Sequence, residues 1–146
     1  MTSRMNSLPN TNCALVLRTD FSDDEAWSDL CVSIQAPTQE FRARVECVSD
    51  RRFQNATLEN LVSMAAQGPF SSFFFVVDSA AIGDPEHPIL VVDLVHEPGR
   101  TFRVIPQEMW AVENNLSIAN MDFFEFADNA DADGVFRGFP SGKAAG

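Results

Sequence analysis

The chain has 146 residues, of which 21 are acidic and 10 are basic, giving a formal net charge of -11. This length fits one domain, and 45% hydrophobic residues are enough for a buried core. A sequence pI of about 4.4 argues against the clustered basic surface that nucleic acids or anionic membranes require. We therefore expect an acidic domain that binds neither nucleic acid nor membranes.

The ends of the chain and its cysteines indicate a cytoplasmic protein. Residues 1–12 are polar and lack the apolar segment of a secretory signal, and residues 141–146 are small and polar. We expect both ends to be flexible and residues 13–140 to form a single domain. The three cysteines are odd in number and show no CxxC spacing, so we interpret them as structural thiols in a reducing compartment.

The first half of the chain predicts two strand–helix units. Apolar residues recur at i, i+3, i+4 and i+7 in both helices, which places them on one face. The capping-box pattern of Ser22 and Glu25 predicts the start of the first helix. The elements are a strand over 14–18, a helix from Ser22 limited by Pro37, a strand over 42–48, and a helix from Thr57 to Gly68.

The second half predicts a buried strand, a hairpin and shorter helices. Residues 73–77 are apolar on both faces, as in a central strand covered by two layers. Pro98 and Gly99 predict a type II turn that pairs strands over 89–95 and 101–105. The remaining elements are a loop over 83–88, a helix opening at Pro106, a short helix over 121–128 and a strand at 135–136.

This order of elements predicts an α/β fold. We expect a single-domain layered structure with a mixed, largely parallel sheet, one β-hairpin in the C-terminal half and flanking helices. Strand–helix–strand units favour parallel pairing, whereas the tight turn after the fourth strand requires antiparallel pairing.

Three of the predicted strands are followed by an aspartate, namely Asp20, Asp50 and Asp78. In an open parallel sheet, ligands bind outside the carboxyl ends of the strands. Carboxylates gathered there can hold Mg²⁺ or raise one another's pKa for acid–base catalysis. Aspartate also ends strands and begins helices for purely local reasons. Arg18 lies at the same edge, where it can bind a ligand or neutralise the aspartates.

Residues 110–123 hold three asparagines and two acids between apolar side chains. Buried amides must be hydrogen-bonded, since an unpaired one costs about 1–3 kcal/mol. The stretch therefore predicts either a network that braces the backbone, with the first two asparagines at a helix end and the third at an N-cap, or a polar pocket. The pocket would use Glu113 and Asp122 as acid–base groups, Asn114, Asn115 and Asn120 to orient a ligand, and Trp110 as an apolar wall.

Other patterns carry less chemistry. Residues 129–134 match the first half of a calcium loop, but the position that needs a bidentate glutamate is Pro140. Arg137 can bind a carboxylate ligand, although pairing with the acidic excess is the simpler interpretation. No GxSxG, Walker, GxGxxG or HExxH motif is present, so we expect no cofactor.

Several of these segments together resemble a family of small uncharacterised proteins that is mainly actinobacterial. The segments are 15–21, 91–94, 98–104, 113–123 (ENNLSIANMDF) and 133–139 (DGVFRGF). The resemblance covers residues 14 to 140 and implies a single domain. The family is a domain of unknown function, so the resemblance implies no activity and assigns no catalytic residue.

Two functions remain open from the sequence. The first is an interaction module whose acidic surface binds a basic protein partner or a small-molecule ligand, and the lack of any catalytic motif favours it. The alternative is a cofactor-free isomerase, lyase or cyclase that uses Asp20, Asp78, Glu113 and Asp122 for acid–base catalysis. A metal-dependent variant of this alternative adds Asp50.

Overall fold

The computed structural model describes four stretches of the chain, 8–9, 12–37, 41–68 and 71–139. Most of the N-terminal segment 1–12 and all of the tail 141–146, both predicted to be flexible, lie outside these residues. None of the helices in these stretches has the length and the apolar composition that a membrane-spanning helix requires.

A six-stranded mixed sheet forms the centre of the described structure. Its strands are β1 (Ala14–Arg18), β2 (Val45–Val48), β3 (Phe73–Val77), β4 (Ile89–Asp93), β5 (Thr101–Val104) and β6 (Val135–Phe136). Their spatial order is β2-β1-β3-β4-β5-β6. Strand β1 pairs parallel with β2 and β3, and β5 pairs parallel with β6, whereas β4 is antiparallel to both of its neighbours. The predicted α/β fold with a mixed, largely parallel sheet and one hairpin, β4–β5, is confirmed.

The described residues form five α-helices, which lie on both faces of the sheet. They are α1 (Asp24–Gln35), α2 (Leu58–Gln67), α3 (Ser79–Gly83), α4 (Met109–Ser117) and α5 (Phe123–Ala127). Buried apolar residues from α1, α4 and α5, such as Leu30, Met109 and Phe126, belong to one hydrophobic core, and Leu61 of α2 belongs to another on the opposite face. The domain therefore has three layers.

Strand β3 lies between these two cores. All five of its side chains are buried, and successive side chains of a strand point to opposite faces. Phe73 and Phe75 pack in the core beneath α1, α4 and α5, whereas Phe74 and Val76 pack in the core beneath α2. The continuous apolar sequence is thus the consequence of burial on both faces, as the sequence predicts.

The sheet has two ends that matter for function. Because β1, β2 and β3 are parallel, the residues that follow them meet at one end, which we call the carboxyl edge. The residues that precede these strands lie at the opposite end, which we call the amino edge. Strand β4 is antiparallel to β3, so its last residue, Asp93, lies at the amino edge opposite Phe73.

The first helix is capped by a different residue from the one predicted. Asp23 is the N-cap of α1, and its Oδ1 accepts a hydrogen bond from the Ala26 amide at 2.9 Å. Ser22 instead donates its amide and its hydroxyl to the Asp20 carboxylate. The predicted capping box fails because Asp20 holds Ser22 outside the helix.

The end of the fourth helix and the start of the fifth also differ from the prediction. Helix α4 continues to Ser117, so Asn114 and Asn115 lie within it rather than at its end. The residue before α5 is Asp122 rather than Asn120, and its amide donates to Glu125 Oε1 at 2.9 Å. Asp122 is the better N-cap because Glu125, three residues later, completes a capping box, whereas the residue three positions after Asn120 is the apolar Phe123.

One further helix and two strand boundaries differ from the prediction. Residues 79–83 form helix α3, which the sequence analysis missed because five residues are too few for helical periodicity. Strand β2 begins at Val45 rather than at residue 42. Strand β4 ends at Asp93 rather than at residue 95, because the Asp93 carboxylate accepts the amides of Val95 and Glu97 and turns the chain.

Candidate functional site

The three aspartates at strand ends lie at the carboxyl edge, each following one of three adjacent parallel strands. Asp20 Oδ1 accepts the Ser22 amide at 2.8 Å, and Asp50 Oδ1 accepts the Arg52 amide at 3.0 Å. Both carboxylates thus stabilise the turn that follows their own strand. Within the described residues, no group of three or more histidine, cysteine or acidic side chains could hold a metal ion.

Asp78 forms an ion pair with an arginine of β5. Its two oxygens accept from Arg103 Nη1 at 3.0 Å and Nη2 at 2.8 Å, and Oδ1 also accepts the Ala81 amide at the start of α3. Burial by itself raises the pKa of Asp78, but the hydrogen bonds and charge of Arg103 hold that pKa below its usual value. The carboxylate therefore stays ionised and is a weak proton acceptor.

Arg18 is buried at the end of β1 and is fully engaged with its neighbours. Its guanidinium donates to the Asp20 carbonyl at 3.0 Å, to Ser49 Oγ at 3.2 Å and to Asp24 Oδ1 at 2.7 Å. The same group lies 4.3 Å from the centre of the Phe21 ring. These contacts connect the ends of β1 and β2 to the start of α1.

Glu113 is the centre of a hydrogen-bond network at the amino edge. Its carboxylate is buried, and Oε1 accepts the Arg44 amide at 2.6 Å and Asn114 Nδ2 at 2.8 Å. Oε2 accepts the Ser117 hydroxyl at 2.5 Å, and Asn114 Nδ2 also donates to the Arg42 carbonyl at 3.1 Å. These bonds fasten α4 to the segment that leads into β2.

The other candidate residues of this stretch also contact the protein itself. The Trp110 ring stacks on Phe41 with centroids 4.9 Å apart, and its buried Nε1 has no hydrogen-bond partner among the residues that the structure describes. Asn115 Nδ2 donates to the Ala111 carbonyl at 2.8 Å, and Asn115 Oδ1 accepts Asn120 Nδ2 at 2.8 Å. The second bond stabilises the turn between α4 and α5.

Arg137 pairs with three carboxylates. It contacts Glu86, Asp131 and Asp133, each at 2.7 Å. Hydrogen bonds to Glu86, Asp133 and Asp131 raise the pKa of the guanidinium, and Arg137 in turn lowers the pKa of both Glu86 and Asp133. The acidic turn that resembles half a calcium loop thus binds an arginine of this chain.

The structure separates the four predicted acid–base carboxylates into two pairs. Asp20 and Asp78 lie at the carboxyl edge, whereas Glu113 and Asp122 lie at the amino edge. Strand β1 has five residues between these edges, which corresponds to roughly 16 Å at about 3.3 Å per residue.

Asp122 borders a cleft that we call the amino-edge cleft. This cleft has a volume of about 320 Å³. It is lined by Ser72, Phe73, Asp93, Val95, His96, Leu116, Ser117, Ala119, Met121, Asp122 and Phe123. Most of these side chains are apolar, and the titratable ones are two carboxylates and a histidine. Among the described residues, no arginine or lysine lines it.

Two of the titratable groups in the cleft, Asp93 and His96, are not among the site residues predicted from the sequence. Asp93 is only 2% exposed, and its carboxylate accepts backbone amides of Val95 and Glu97 at 3.0 and 2.9 Å. His96 Nε2 lies 3.6 Å from Asp122 Oδ1 at the mouth of the cleft. An acid at the end of an apolar strand, followed by a hairpin turn and a histidine, was the pattern that could have indicated them.

Comparison with known proteins identifies a family but no activity. A family model described as "Domain of unknown function (DUF6924)" matches residues 13–139. No curated protein matches the chain. The matched residues include both edges of the sheet and every residue that lines the amino-edge cleft.

Proposed function

The chain belongs to the DUF6924 family, a domain of unknown function, and we propose from its geometry that it is an interaction domain that binds a basic segment of a partner protein in the amino-edge cleft. The observation that carries this proposal is the lining of the cleft. Apolar walls surround two carboxylates, Asp93 and Asp122, and no arginine or lysine among the described residues neutralises them there. Such a cleft is complementary to a cationic side chain with an apolar stem.

The distribution of charge over the domain supports a basic partner. The chain has 10 basic side chains against 21 acidic ones. Five arginines are held in ion pairs with carboxylates of the same chain, namely Arg18, Arg52, Arg100, Arg103 and Arg137. The remaining acidic excess attracts cationic partners and increases the rate at which they associate.

The cleft itself supports a lysine or arginine side chain as the inserted group. Leu116, Met121 and Phe123 can pack against a methylene stem, and burial of each methylene contributes about 0.8 kcal/mol. The Asp122 side chain is 50% exposed at the mouth, where it can accept a charge-assisted hydrogen bond from the head group. Val95, which also lines the cleft and is 45% exposed, offers a further apolar contact to the same segment.

The enzyme alternative draws on groups that are not adjacent. Its four carboxylates lie at opposite edges of the sheet, and Asp78 is paired with Arg103. The binding proposal needs only groups that line one cleft. We further propose that the protein is cytoplasmic. We therefore carry the binding proposal forward.

Two variants that remove the same charge test the proposal. Asp122→Asn changes the mouth of the cleft and keeps a residue that caps helices well, whereas Asp29→Asn changes an exposed position on α1. The probe is a short peptide of alternating lysine and leucine, with a glutamate–leucine peptide as the control. We expect Asp122→Asn to weaken binding of the lysine peptide about fivefold to tenfold, and Asp29→Asn less than twofold, by calorimetry.

Backbone amide NMR shifts locate the bound peptide. The expected changes cluster at residues 93–96 and 116–123, and the glutamate peptide produces none. Equal weakening by the two variants would mean that the peptide responds only to net charge. Shifts spread over α1, or no binding at low salt, would also overturn the proposal.

A further inference from the structure

Two of the three cysteines lie side by side between α1 and β2. Gln35, one helical turn after Cys31, donates from Nε2 toward the Val45 carbonyl at 3.4 Å and toward Cys47 Sγ at 3.6 Å. Positions four apart on a helix and two apart on a strand are separated by about 6–7 Å, so the turn of α1 from Cys31 to Gln35 lies along β2. Cys31 and Cys47 therefore lie next to each other, packed against the same core.

Small solutes can reach this pair. Both side chains are only partly buried, and they pack on the margin of the core beneath α1. Strand β2 is the outermost strand on one side of the sheet, so among the described residues no further strand pairs with its outer side. A thiol pair beside an outermost strand is more accessible to a small oxidant than a cysteine in the core is.

The surroundings divide the two thiols into a nucleophile and its partner. The neighbouring Cys47 thiol, together with the positive charge of Arg18, lowers the pKa of Cys31 although burial opposes this. The neighbouring Cys31 thiol and burial raise the pKa of Cys47. Cys31 is therefore the more acidic thiol of the pair, and Cys47 is the one that retains its proton.

We propose that Cys31 and Cys47 form a peroxide-reactive dithiol site that closes to an intramolecular disulfide. The Cys31 thiolate attacks one oxygen of hydrogen peroxide, the O–O bond breaks, and hydroxide leaves as Cys31 becomes a sulfenic acid. The Cys47 sulfur then attacks the Cys31 sulfur as its proton passes to the departing hydroxyl, which leaves as water. Two thiols are oxidised by two electrons, and one peroxide is reduced.

The third cysteine is an internal control for this site. Cys13 precedes β1 at the amino edge, where it lines a shallow pocket with Gln35 and Val45. Cys13 is separated from Cys47 along the sheet. The residue after Cys13, Ala14, is in register with Val45, whereas the residue in register with Cys47 is Val16. We therefore expect Cys13 to stay reduced when the other two cysteines react.

The experiment treats the full chain with a stoichiometric amount of hydrogen peroxide, then blocks free thiols and maps peptides without reduction. We expect one blocked thiol at Cys13, the loss of two hydrogen atoms from the chain, and a peptide that joins Cys31 to Cys47. Dithiothreitol should restore all three thiols. Cys13→Ser should behave as wild type, whereas Cys47→Ser should stop at a sulfenic acid on Cys31 that dimedone traps.

The wild-type peptide map decides the question even if a serine variant folds poorly. Three free thiols after treatment, a disulfide that includes Cys13, or dimedone trapped mainly on Cys47 would each overturn the proposal. The dithiol site shares no residue with the amino-edge cleft. A negative result in the peroxide experiment therefore does not affect the peptide-binding proposal, and a negative result in the peptide experiment does not affect the dithiol proposal.

Discussion

At the scale of single residues, Glu113 illustrates how this fold accommodates a buried charge. Its side chain is 4% exposed and has no arginine or lysine partner among the described residues. The three groups that surround it, the Arg44 amide, the Asn114 amide group and the Ser117 hydroxyl, all donate hydrogen bonds. Three donors distribute the charge of a carboxylate well enough to keep it buried.

Replacing Glu113 should therefore affect stability. Glu113→Gln keeps the shape but places an amide NH₂ where one acceptor oxygen was, so we expect the free energy of unfolding to fall by about 1–2 kcal/mol. Glu113→Ala leaves the Arg44 amide unpaired and should cost about 3 kcal/mol. Urea denaturation measures both. Glu46→Gln, at an exposed position on β2, should change stability by less than about 0.5 kcal/mol, and equal effects of the two Gln variants would contradict this role.

The sequence predicts part of this network and not the rest. A dense run of asparagines and acids between apolar residues must satisfy its polar groups, and one of the two predicted interpretations was a network that braces the backbone. The partners of these side chains could not be predicted, because they are distant in sequence. The Arg42 carbonyl is 72 residues from Asn114, and the Arg44 amide is 69 residues from Glu113. Only the pairing of α4 with the start of β2 brings them together.

At the scale of elements, periodicity predicted the long segments better than the short ones. The fully buried strand β3 and the start of α2 at Thr57 both match the sequence prediction. Helix α3, with five residues, was missed, although Asp78 provides a good N-cap for it. The order of the strands also depends on long-range pairing, which periodicity does not report.

Asp78 joins two of these elements, and the pH dependence of stability should reveal the connection. The pKa of Asp78 is lowered in the folded chain, so its ion pair with Arg103 stabilises the protein above the unfolded pKa of about 3.9 and is lost as pH falls through the folded value. Asp78→Asn keeps an N-cap residue but removes the charge. We expect it to cost about 1 kcal/mol at pH 7 and progressively less below about pH 4.

Chemical denaturation of wild type and variant at several pH values measures this difference. Asp29→Asn, which removes an exposed charge from α1, is the matched control and should give a small difference at each pH. A cost of Asp78→Asn that stays constant between pH 7 and pH 3 would show that packing, not the ion pair, is responsible.

At the scale of the whole molecule, the two edges of the sheet use acidic residues differently. At the carboxyl edge, Asp20 and Asp50 close turns and Asp78 pairs with an arginine. At the amino edge, Asp93 and Asp122 line a cleft without an arginine or lysine among the described residues. The parallel strands made the carboxyl edge the expected ligand site, but the hairpin β4–β5 brings Asp93 and His96 to the other edge, where the cleft lies.

The net charge of -11 also predicts how the stability of the domain responds to salt. Like charges repel in the compact state, and raising KCl from about 10 mM to about 150 mM shortens the screening length from about 30 Å to about 8 Å. Contacts of 2.7 Å, such as those of Arg137, lie well within either length and are weakened less than the long-range repulsion. We therefore expect the melting temperature to rise by about 2–4 °C.

Arg137→Ala provides the sharper comparison. This variant leaves Glu86, Asp131 and Asp133 close together without their shared cation, so its melting temperature should be lower at 10 mM KCl and should rise more steeply with salt than that of wild type. A melting temperature that falls with KCl in wild type would mean that the ion pairs outweigh the repulsion. An equal salt dependence in the variant would mean that the three carboxylates move apart when the arginine is removed.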